Sequence, residues 1–211
     1  MKICYVIGAG DLPLLYISKN CENLIIAADG GLKKLGEIEP DVVVGDFDSL
    51  GFVPTSPNTV VLPVEKDVTD MRQAVDIGFS KGFDTFVLYG GTGGRPDHTF
   101  ANYALLALIS ERGGRGYLVG ENFVTTAVTD GKLTLPEKKQ GTVSVFAFGK
   151  EAKGVSINGL KYSLKDHTLT PSHPLGVSNS FIGGTAEIFV QNGTLLVFFE
   201  ENNLSKFVDK L

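Results

Sequence analysis

The hydrophobic pattern of the sequence changes near residue 120, and this change restricts the fold more than any other feature. Before residue 120, short apolar runs alternate with longer stretches of helical period. The runs lie at 3–7, 24–28, 42–44, 59–62 and 85–89, and the helical stretches at 69–81 and 97–112. Strands and helices in alternation are typical of right-handed βαβ units. We therefore expect residues 1–121 to form a mostly parallel, Rossmann-like α/β sheet.

The helical period is lost after residue 120, where short apolar strands and glycine turns follow one another. The predicted strands lie at 143–148, 155–157, 175–181, 186–190 and 195–199. The turn signals are Asp130-Gly131, Asn158-Gly159, Gly183-Gly184 and Asn192-Gly193. Asn-Gly and Asp-Gly pairs favour the positive φ angles of two-residue hairpins. Residues 122–211 are therefore predicted to form a second domain, an antiparallel sandwich or barrel.

The charge balance argues against one class of function. The chain has 24 acidic and 19 basic residues, and its net charge of −5 lies entirely within residues 1–120. This argues against nucleic-acid binding through a basic face and points to cation-dependent chemistry in the first half.

Glycine and proline interrupt the apolar N-terminus, so neither a signal peptide nor a membrane span is predicted. Cys4 and Cys21 are too few for a disulfide scaffold, and we expect a cytoplasmic protein.

Acidic and glycine-rich segments follow the predicted strands of the first half, at the sheet edge where open α/β sheets bind ligands. Asp29, Gly30 and Gly31 follow the second run, where a ligand can approach the backbone and helix N–H groups can bind an anion. Asp46 and Asp48 follow the third run, within Gly-Asp-Phe-Asp-Ser. Carboxylates that converge there would suit Mg²⁺ shared with phosphates, although both residues also form ordinary turns.

The segment Glu65-Lys66-Asp67-Val68-Thr69-Asp70 opens the first predicted helix. Thr69 or Asp67 could be a simple N-cap there, since acidic residues are common in a first helical turn. That explanation accounts for one or two of the carboxylates. It leaves Lys66 and the neighbouring Asp-x-Asp pair unexplained.

A glycine-rich segment lies between the fifth run and the second predicted helix. Its four glycines, Gly91 and Gly94 among them, could surround phosphates with backbone N–H groups. Arg95 adds a guanidinium fork that matches phosphate oxygens. The segment is neither a P-loop nor a dinucleotide fingerprint. Asp97 and His98 could simply cap the helix that follows.

Taken together, these segments bring several carboxylates, a lysine, an arginine and two glycine loops to one edge of one sheet. Phosphoryl transfer requires such a mixture, because the enzyme mainly positions charged oxygens and neutralises developing charge. The sequence contains no nucleophile elbow and no zinc-ligand spacing. Phosphoryl transfer with a divalent cation is therefore the predicted chemistry.

In their order along the chain, the motifs resemble those of the thiamin pyrophosphokinase family, which transfers a pyrophosphoryl group from ATP to thiamin. The matching segments are Asp29-Gly30-Gly31, Gly45-Asp46-Phe47-Asp48-Ser49, Lys66-Asp67-Val68-Thr69-Asp70, Gly94-Arg95-Pro96-Asp97-His98 and Gly176-Val177-Ser178-Asn179. The resemblance implies an α/β domain at 1–121 that binds ATP and Mg²⁺, and a β-sandwich at 122–211. It also implies a homodimer in which thiamin lies where one subunit's α/β domain meets its partner's sandwich.

The resemblance further implies roles for single residues. Asp46, Asp48 and Asp70 are expected to hold the metal, and with Asp67 to form the catalytic carboxylates. The expected contacts to ATP and its phosphates are Asp29, Gly30, Lys66, Gly91, Gly94 and Arg95, and those to thiamin are Asp97, Ser178 and Asn179. The chain departs from the family pattern at Arg72 and Ser180, where acidic residues are common.

Three other functions remain open at the level of sequence. A pyrophosphokinase for another heteroaromatic alcohol, such as a neutral pterin, would have less use for Asp97. A metal-dependent phosphohydrolase would also use an Asp-x-Asp pair but would not need Ser178 and Asn179. A non-catalytic nucleotide- or thiamin-binding protein has little reason to gather so many mutually repelling carboxylates.

Overall fold

A computed structural model of the 211-residue chain describes residues 2–12, 14–18, 20–48, 51–55, 58–63, 65 and 67–211. The chain divides into two compact units. The first comprises Met1–Leu105, Gly116–Glu121 and Leu211, and the second comprises Leu106–Arg115 and Asn122–Lys210. In the described part of the chain, no helix has the length and apolarity needed to cross a membrane.

The first unit alternates strands and helices as the sequence predicts. Its strands are β1 (Cys4–Ile7), β2 (Leu24–Ala28), β3 (Val42–Gly45), β4 (Thr59–Val61) and β5 (Thr85–Tyr89), and β6 (Arg115–Val119) begins at the division. The helices are a 3₁₀ helix (Asp29–Lys34), α1 (Asp70–Ser80) and α2 (Pro96–Glu111), which the division crosses. Every residue of β1, β3 and β5 is buried, as expected for strands covered on both faces.

The sheet order is β4-β3-β2-β1-β5-β6. β1 is parallel to β2 and to β5, β2 is parallel to β3, and β3 is parallel to β4. The chain therefore moves outward from β1 to β4 and returns on the other side of β1 with β5. The strand order reverses between β1 and β5, and open α/β sheets bind ligands at the carboxyl end of such a reversal.

Side-chain contacts explain how the sequence forms the elements around this reversal. Helix α1 buries Met71, Ala74, Val75 and Gly78 on one face, and its N-cap Thr69 accepts a hydrogen bond from the backbone N–H of Arg72 at 3.2 Å. In its described residues the connection from β1 to β2 contains no helix. Two tyrosines anchor it instead, because Tyr5 shares a 2.8 Å hydrogen bond with Ser18 and Tyr89 donates one of 2.6 Å to the Tyr16 carbonyl.

The second unit is built almost entirely of strands. They are β7 (Phe123–Thr129), β8 (Lys132–Lys138), β9 (Thr142–Asn158), β10 (Leu164–Leu169), β11 (Gly176–Ser180), β12 (Gly184–Phe189) and β13 (Asn192–Glu200), followed by α3 (Leu204–Val208). Their order is β7-β13-β9-β12-β8, and β10 and β11 also pair with β9. The pairs within this unit are antiparallel. The predicted change from parallel to antiparallel pairing is confirmed.

Several details of the second unit differ from the sequence prediction. The two strands predicted at 143–148 and 155–157 are parts of the single 17-residue strand β9. Strands β7, β8 and β10 have no counterpart in the sequence prediction, and neither has β6 of the first unit. Of the four glycine turns, all within the fully described range 67–211, only Asn158-Gly159 links strands that pair with each other. The two-residue hairpin interpretation is wrong for the other three, because the strands on either side of each turn do not pair with each other. It is also wrong for Asn158-Gly159, because residues 158–163 lie between the paired Ile157 and Leu164.

Candidate active site

A cavity of about 340 Å³ lies in the first unit, where the strand order reverses. Residues 8–10 after β1 and 90–95 after β5 form its walls, together with residues 28–29 and 69–71. His98 and Asn102 of α2 complete the lining. Five residues predicted to form the site, Asp29, Asp70, Gly91, Gly94 and Arg95, therefore meet at one cavity. Gly30 is buried directly behind Asp29 in the 3₁₀ helix.

Three aspartates converge at the ends of β2 and β3. One carboxylate oxygen from each of Asp29, Asp46 and Asp48 lies within 4.8 Å of the other two. The strands pair in register here, and an ideal Cβ at Gly45 would lie 3.0 Å from the Asp29 Cα. Buried Phe47 has a φ of +61°, a strained value for a bulky residue, and this turn folds the two aspartates toward Asp29.

This trio of carboxylates has the donor chemistry of a magnesium site. Hard carboxylate oxygens are the preferred ligands of Mg²⁺, which also keeps waters and substrate phosphates in its coordination shell. Asp29 lines the cavity and also belongs to the trio, so a cation held there would face the cavity. The residues present therefore fit a divalent cation shared with a phosphorylated ligand.

Asp70 lies in the first turn of α1 and lines the cavity, but it is outside the trio. Its Oδ1 atom is buried, as is that of Asp29. Asp67 is exposed on the approach to α1. Thr69, and not Asp67, caps the helix. Lys66, the predicted phosphate contact in this segment, lies outside the described residues.

The glycine loop, defined as residues 90–94, is held against the segment that follows β1. The backbone N–H of Gly10 donates to the Gly90 carbonyl, and that of Asp11 donates to the Thr92 carbonyl, each at 2.8 Å. A Cβ atom at Gly90 would overlap the Gly8 carbonyl oxygen. The loop is thus anchored at defined points.

The start of α2 carries an exposed ion pair. Arg95 Nη2 lies 2.6 Å from Asp97 Oδ2, and Arg95 Nε donates to Asp97 Oδ1 at 3.2 Å. Hydrogen bonding by Arg95 lowers the pKa of Asp97 to about 2. The same pair raises the pKa of Arg95. The backbone N–H of His98 also donates to Asp97 Oδ1 at 3.0 Å, so Asp97 has a local structural role as well.

The two predicted residues of the second unit are in different environments. Ser178 is exposed, with a φ of +58°. Asn179 is 4% exposed, and its side-chain amide bonds both backbone groups of Tyr162, at 2.6 and 2.9 Å. The amide of Asn179 therefore ties β11 to the loop after β9, which is a structural role.

Arg72, one of the departures from the family pattern, pairs with Asp76 one turn later in α1, at 2.9 Å.

Two family models match the chain. The model of the thiamin pyrophosphokinase catalytic domain matches residues 17–115, and the model of the thiamin pyrophosphokinase vitamin B1 binding domain matches residues 132–195. The chain belongs to the thiamin pyrophosphokinase family. The catalytic-domain match falls in the part with parallel strands, and the vitamin B1 binding match falls in the part with antiparallel strands.

Individual thiamin pyrophosphokinases are similar to the chain over nearly its whole length. Thiamine pyrophosphokinase of Bacillus subtilis (strain 168) is 26% identical over 209 residues, which covers 93% of this chain and 98% of that protein. Thiamin pyrophosphokinase 1 of Caenorhabditis elegans is 27% identical over 219 residues, with 92% and 87% covered. The crystal structure of the Geobacillus thermodenitrificans thiamin pyrophosphokinase superposes with a TM-score of 0.81 at 27% identity, covering 96% and 99%.

Sequence reasoning missed several residues that line the cavity, among them Gly8, Gly10 and Asn102. Gly8 and Gly10 follow β1 directly, and a Gly-x-Gly segment after the first strand of a βαβ unit was the available signal. In the sequence alone, this segment stands out only as an interruption of the apolar N-terminus. Asn102 offered no comparable signal, since a polar residue within a helix is usually exposed.

Proposed function

We propose that this chain transfers the pyrophosphoryl group of ATP to the hydroxyethyl oxygen of thiamin, giving thiamin diphosphate and AMP. The observation that carries the proposal is the carboxylate trio beside the cavity, in a chain of the thiamin pyrophosphokinase family. The enzyme class, an ATP-dependent pyrophosphotransferase, follows from family membership. In the reaction the thiamin oxygen bonds the β-phosphorus, its proton is released, and the bond from the β-phosphorus to the AMP oxygen breaks.

We propose that Asp29, Asp46 and Asp48 hold Mg²⁺, with Asp70 beside them in the cavity. The ion would supply neutralisation of the charge on the phosphates. By binding the ion, the carboxylates would keep its positive charge at the edge of the sheet. The glycine loop lines the same cavity, where its backbone dipoles can interact with the phosphates. Asp67, exposed before α1, is proposed as the fourth carboxylate of the predicted catalytic set.

The phosphate chain is proposed to lie along the glycine loop. Gly91 and Gly94 supply backbone there, Arg95 supplies a fixed positive charge, and Lys66 is proposed as a second cation. Gly30, buried next to Asp29 in the 3₁₀ helix, is proposed to belong to the same ATP site. These groups would bind ATP and orient its β-phosphorus, which is the main contribution a protein makes to phosphoryl transfer.

We propose an acceptor site that uses one residue from each unit, Asp97 of the first and Ser178 of the second. Asp97 carries a negative charge that complements the thiamin cation, and Ser178 presents an exposed hydroxyl. Asn179 is proposed to support Ser178 through its bonds to Tyr162 rather than to contact thiamin directly. We propose that residues 122–211 form a β-sandwich domain that binds thiamin and joins two copies into a homodimer, with the site at their interface.

The products identify the reaction. The chain should convert ATP and thiamin to equal amounts of AMP and thiamin diphosphate when Mg²⁺ is present, measured by ³¹P NMR or chromatography. ADP with phosphate would indicate a phosphohydrolase, and pyrophosphorylation of a pterin instead of thiamin would indicate a different acceptor. Binding of nucleotide without turnover would indicate a regulatory protein. Each of these three results would contradict the proposed activity.

A further inference from the structure

Asn102 is a buried polar residue of the cavity wall to which the proposed reaction gives no role. It lies on α2, is 6% exposed and lines the cavity. Its Nδ2 atom donates a 2.8 Å hydrogen bond to the carbonyl oxygen of Gly91. Among the described residues, this is the one hydrogen bond that its side chain makes. A buried amide that holds a loop carbonyl at a ligand cavity acts on the shape of that loop.

The bond from Asn102 completes a series along the glycine loop. The carbonyls of Gly90 and Thr92 accept from the backbone N–H groups of Gly10 and Asp11. The Gly91 carbonyl between them accepts from Asn102. Because the peptide group is planar, fixing a carbonyl fixes the orientation of the whole peptide plane. The two outer planes depend on backbone donors, whereas the central plane depends on one side chain.

Gly91 shows the same contact from the side of the loop. A Cβ atom there would lie 3.1 Å from Asn102 Nδ2 and 2.7 Å from Leu118 Cδ1. Both distances are too short for a relaxed contact, so the approach of Asn102 requires glycine at position 91. The pair is therefore a matched one, in which either residue can be changed to disturb the same hydrogen bond.

We propose that Asn102 is a positioning residue that fixes the Gly91–Thr92 peptide plane of the glycine loop for contact with the nucleotide phosphates. This inference rests on the proposed function, in which that loop binds ATP. Asn102 acts through the loop and not on the reacting atoms. Its loss should therefore raise the KM for ATP and leave the KM for thiamin nearly unchanged.

The test compares Asn102→Ala and Gly91→Ala with the wild-type protein. Loss of one hydrogen bond should raise the KM for ATP about tenfold in each variant, and the KM for thiamin should stay within about twofold. A non-hydrolysable ATP analogue with Mg²⁺ should bind more weakly by the same factor in calorimetry. The double variant should lose less than the sum of the two single losses, because both changes disturb the contact between Asn102 and Gly91.

Asn23→Ala is the matched control. Asn23 is a half-buried amide of the same unit that bonds Ile3 and Ser18 and does not line the cavity. This change should lower the thermal midpoint and leave the KM for ATP unchanged, which separates positioning from general loss of stability.

An unchanged KM for ATP in Asn102→Ala would overturn the proposal, as would additive losses in the double variant. If Asn102→Ala does not fold, Gly91→Ala and its analogue affinity decide the matter, and wild-type affinity there overturns the proposal. A wild-type protein without pyrophosphoryl transfer would overturn the proposed function instead. In that case the calorimetric comparison of analogue binding still tests Asn102.

Discussion

Arg95 and Asp97 determine the charge at the proposed acceptor contact. The pair is exposed, with side chains 71% and 61% accessible, yet two hydrogen bonds join the guanidinium to the carboxylate. Because Arg95 bonds the ionised form, the pKa of Asp97 falls to about 2. Asp97 therefore stays anionic to lower pH than an ordinary aspartate, and its negative charge suits a cationic substrate.

Removal of Arg95 should restore the ordinary acidity of Asp97. In Arg95→Ala the pKa of Asp97 should rise from about 2 toward the ordinary 3.8, because the bonds that favour the carboxylate are lost. Carboxyl ¹³C NMR titration measures this shift. Arg72→Ala removes the Arg72–Asp76 pair and is the matched control, with no expected change at Asp97. A midpoint that stays near 2 in Arg95→Ala would show that another group lowers it.

Asp29 is expected to contribute to cation binding even without nucleotide. Its φ of +47° is one that asparagine tolerates, so Asp29→Asn removes charge without disturbing the backbone. Mn²⁺ affinity, measured by electron paramagnetic resonance on the ATP-free protein, should fall at least about tenfold, the loss typical even of an outer-shell partner. Asp84→Asn is the control, since Asp84 is exposed and lies outside the trio. Equal Mn²⁺ affinity in Asp29→Asn and wild type would contradict this assignment.

At this scale, sequence reasoning succeeds where position along a strand decides the outcome. Asp29, Asp46 and Asp48 follow β2 and β3, and parallel strands in register bring their carboxyl ends together. It could not find the role of Asn102, because that role arises from a contact between α2 and a loop eleven residues earlier. The amide of Asn179 likewise bonds the backbone of Tyr162, and the position of Asn179 in a sequence motif does not reveal this contact.

The 3₁₀ helix packs against the end of β1 through Gly31. A Cβ atom at Gly31 would overlap the Ile7 carbonyl oxygen, and that oxygen belongs to backbone that cannot move aside. Gly31→Ala should therefore lower the free energy of unfolding by about 3 kcal/mol or more, the range of severe overpacking. Gly184→Ala is the control, since a Cβ there meets nothing within 4 Å, and its cost should be about 0.5 kcal/mol or less. Urea denaturation measures both, and equal stabilities would contradict the packing argument.

Among the elements, fully apolar strands were predictable and mixed ones were not. β1, β2, β3 and β5 are continuous apolar runs bounded by turn residues. β10 reads Leu-Lys-Asp-His-Thr-Leu and is mostly exposed, so it carries no apolar period. β8 contains Pro136, and a proline within an apolar run argues against a strand. The strand nevertheless forms because β8 lies at the end of the strand order, where proline is tolerated.

β9 shows the opposite error. Gly149 and Gly154, both at positive φ, lie inside it, and the sequence reading treated this region as a break between two strands. The chain continues through both glycines, because β9 pairs with β13 in its first part and with β12 and β10 in its later part. Glycine inside a strand pattern therefore marked an irregularity and not an end.

At the scale of the whole molecule, the two units correspond to two kinds of sheet and to two matched family domains. The order of these parts was predictable because parallel and antiparallel strands leave different periods in the sequence. The sandwich and the homodimer stay predictions. Both depend on packing between surfaces, and no periodicity encodes such packing.

A shared interface site predicts complementation between inactive variants. Asp46→Asn disables the first unit, and Ser178→Tyr would obstruct the acceptor site contributed by the second. Co-expressed in equal amounts, they should regain about a quarter of wild-type activity, because half of the dimers are mixed and each has one intact site. Asp46→Asn with Asp48→Asn is the control, and it should not recover, since both changes lie in one unit. Absence of recovery in the first mixture would contradict an interface site.

The central claim is that carboxylates at the ends of β2 and β3 perform pyrophosphoryl transfer, and Asp46→Asn tests it most directly. An asparagine at 46 can still accept the bond from the Asp48 N–H, so the turn should persist while the charge is lost. The measurement is the rate of thiamin diphosphate and AMP formation with Mg²⁺, beside Asp84→Asn as control. We predict a loss of at least about a hundredfold in kcat for Asp46→Asn, as for loss of one electrostatic catalytic group, and wild-type turnover for Asp84→Asn. Wild-type turnover by Asp46→Asn would contradict the claim.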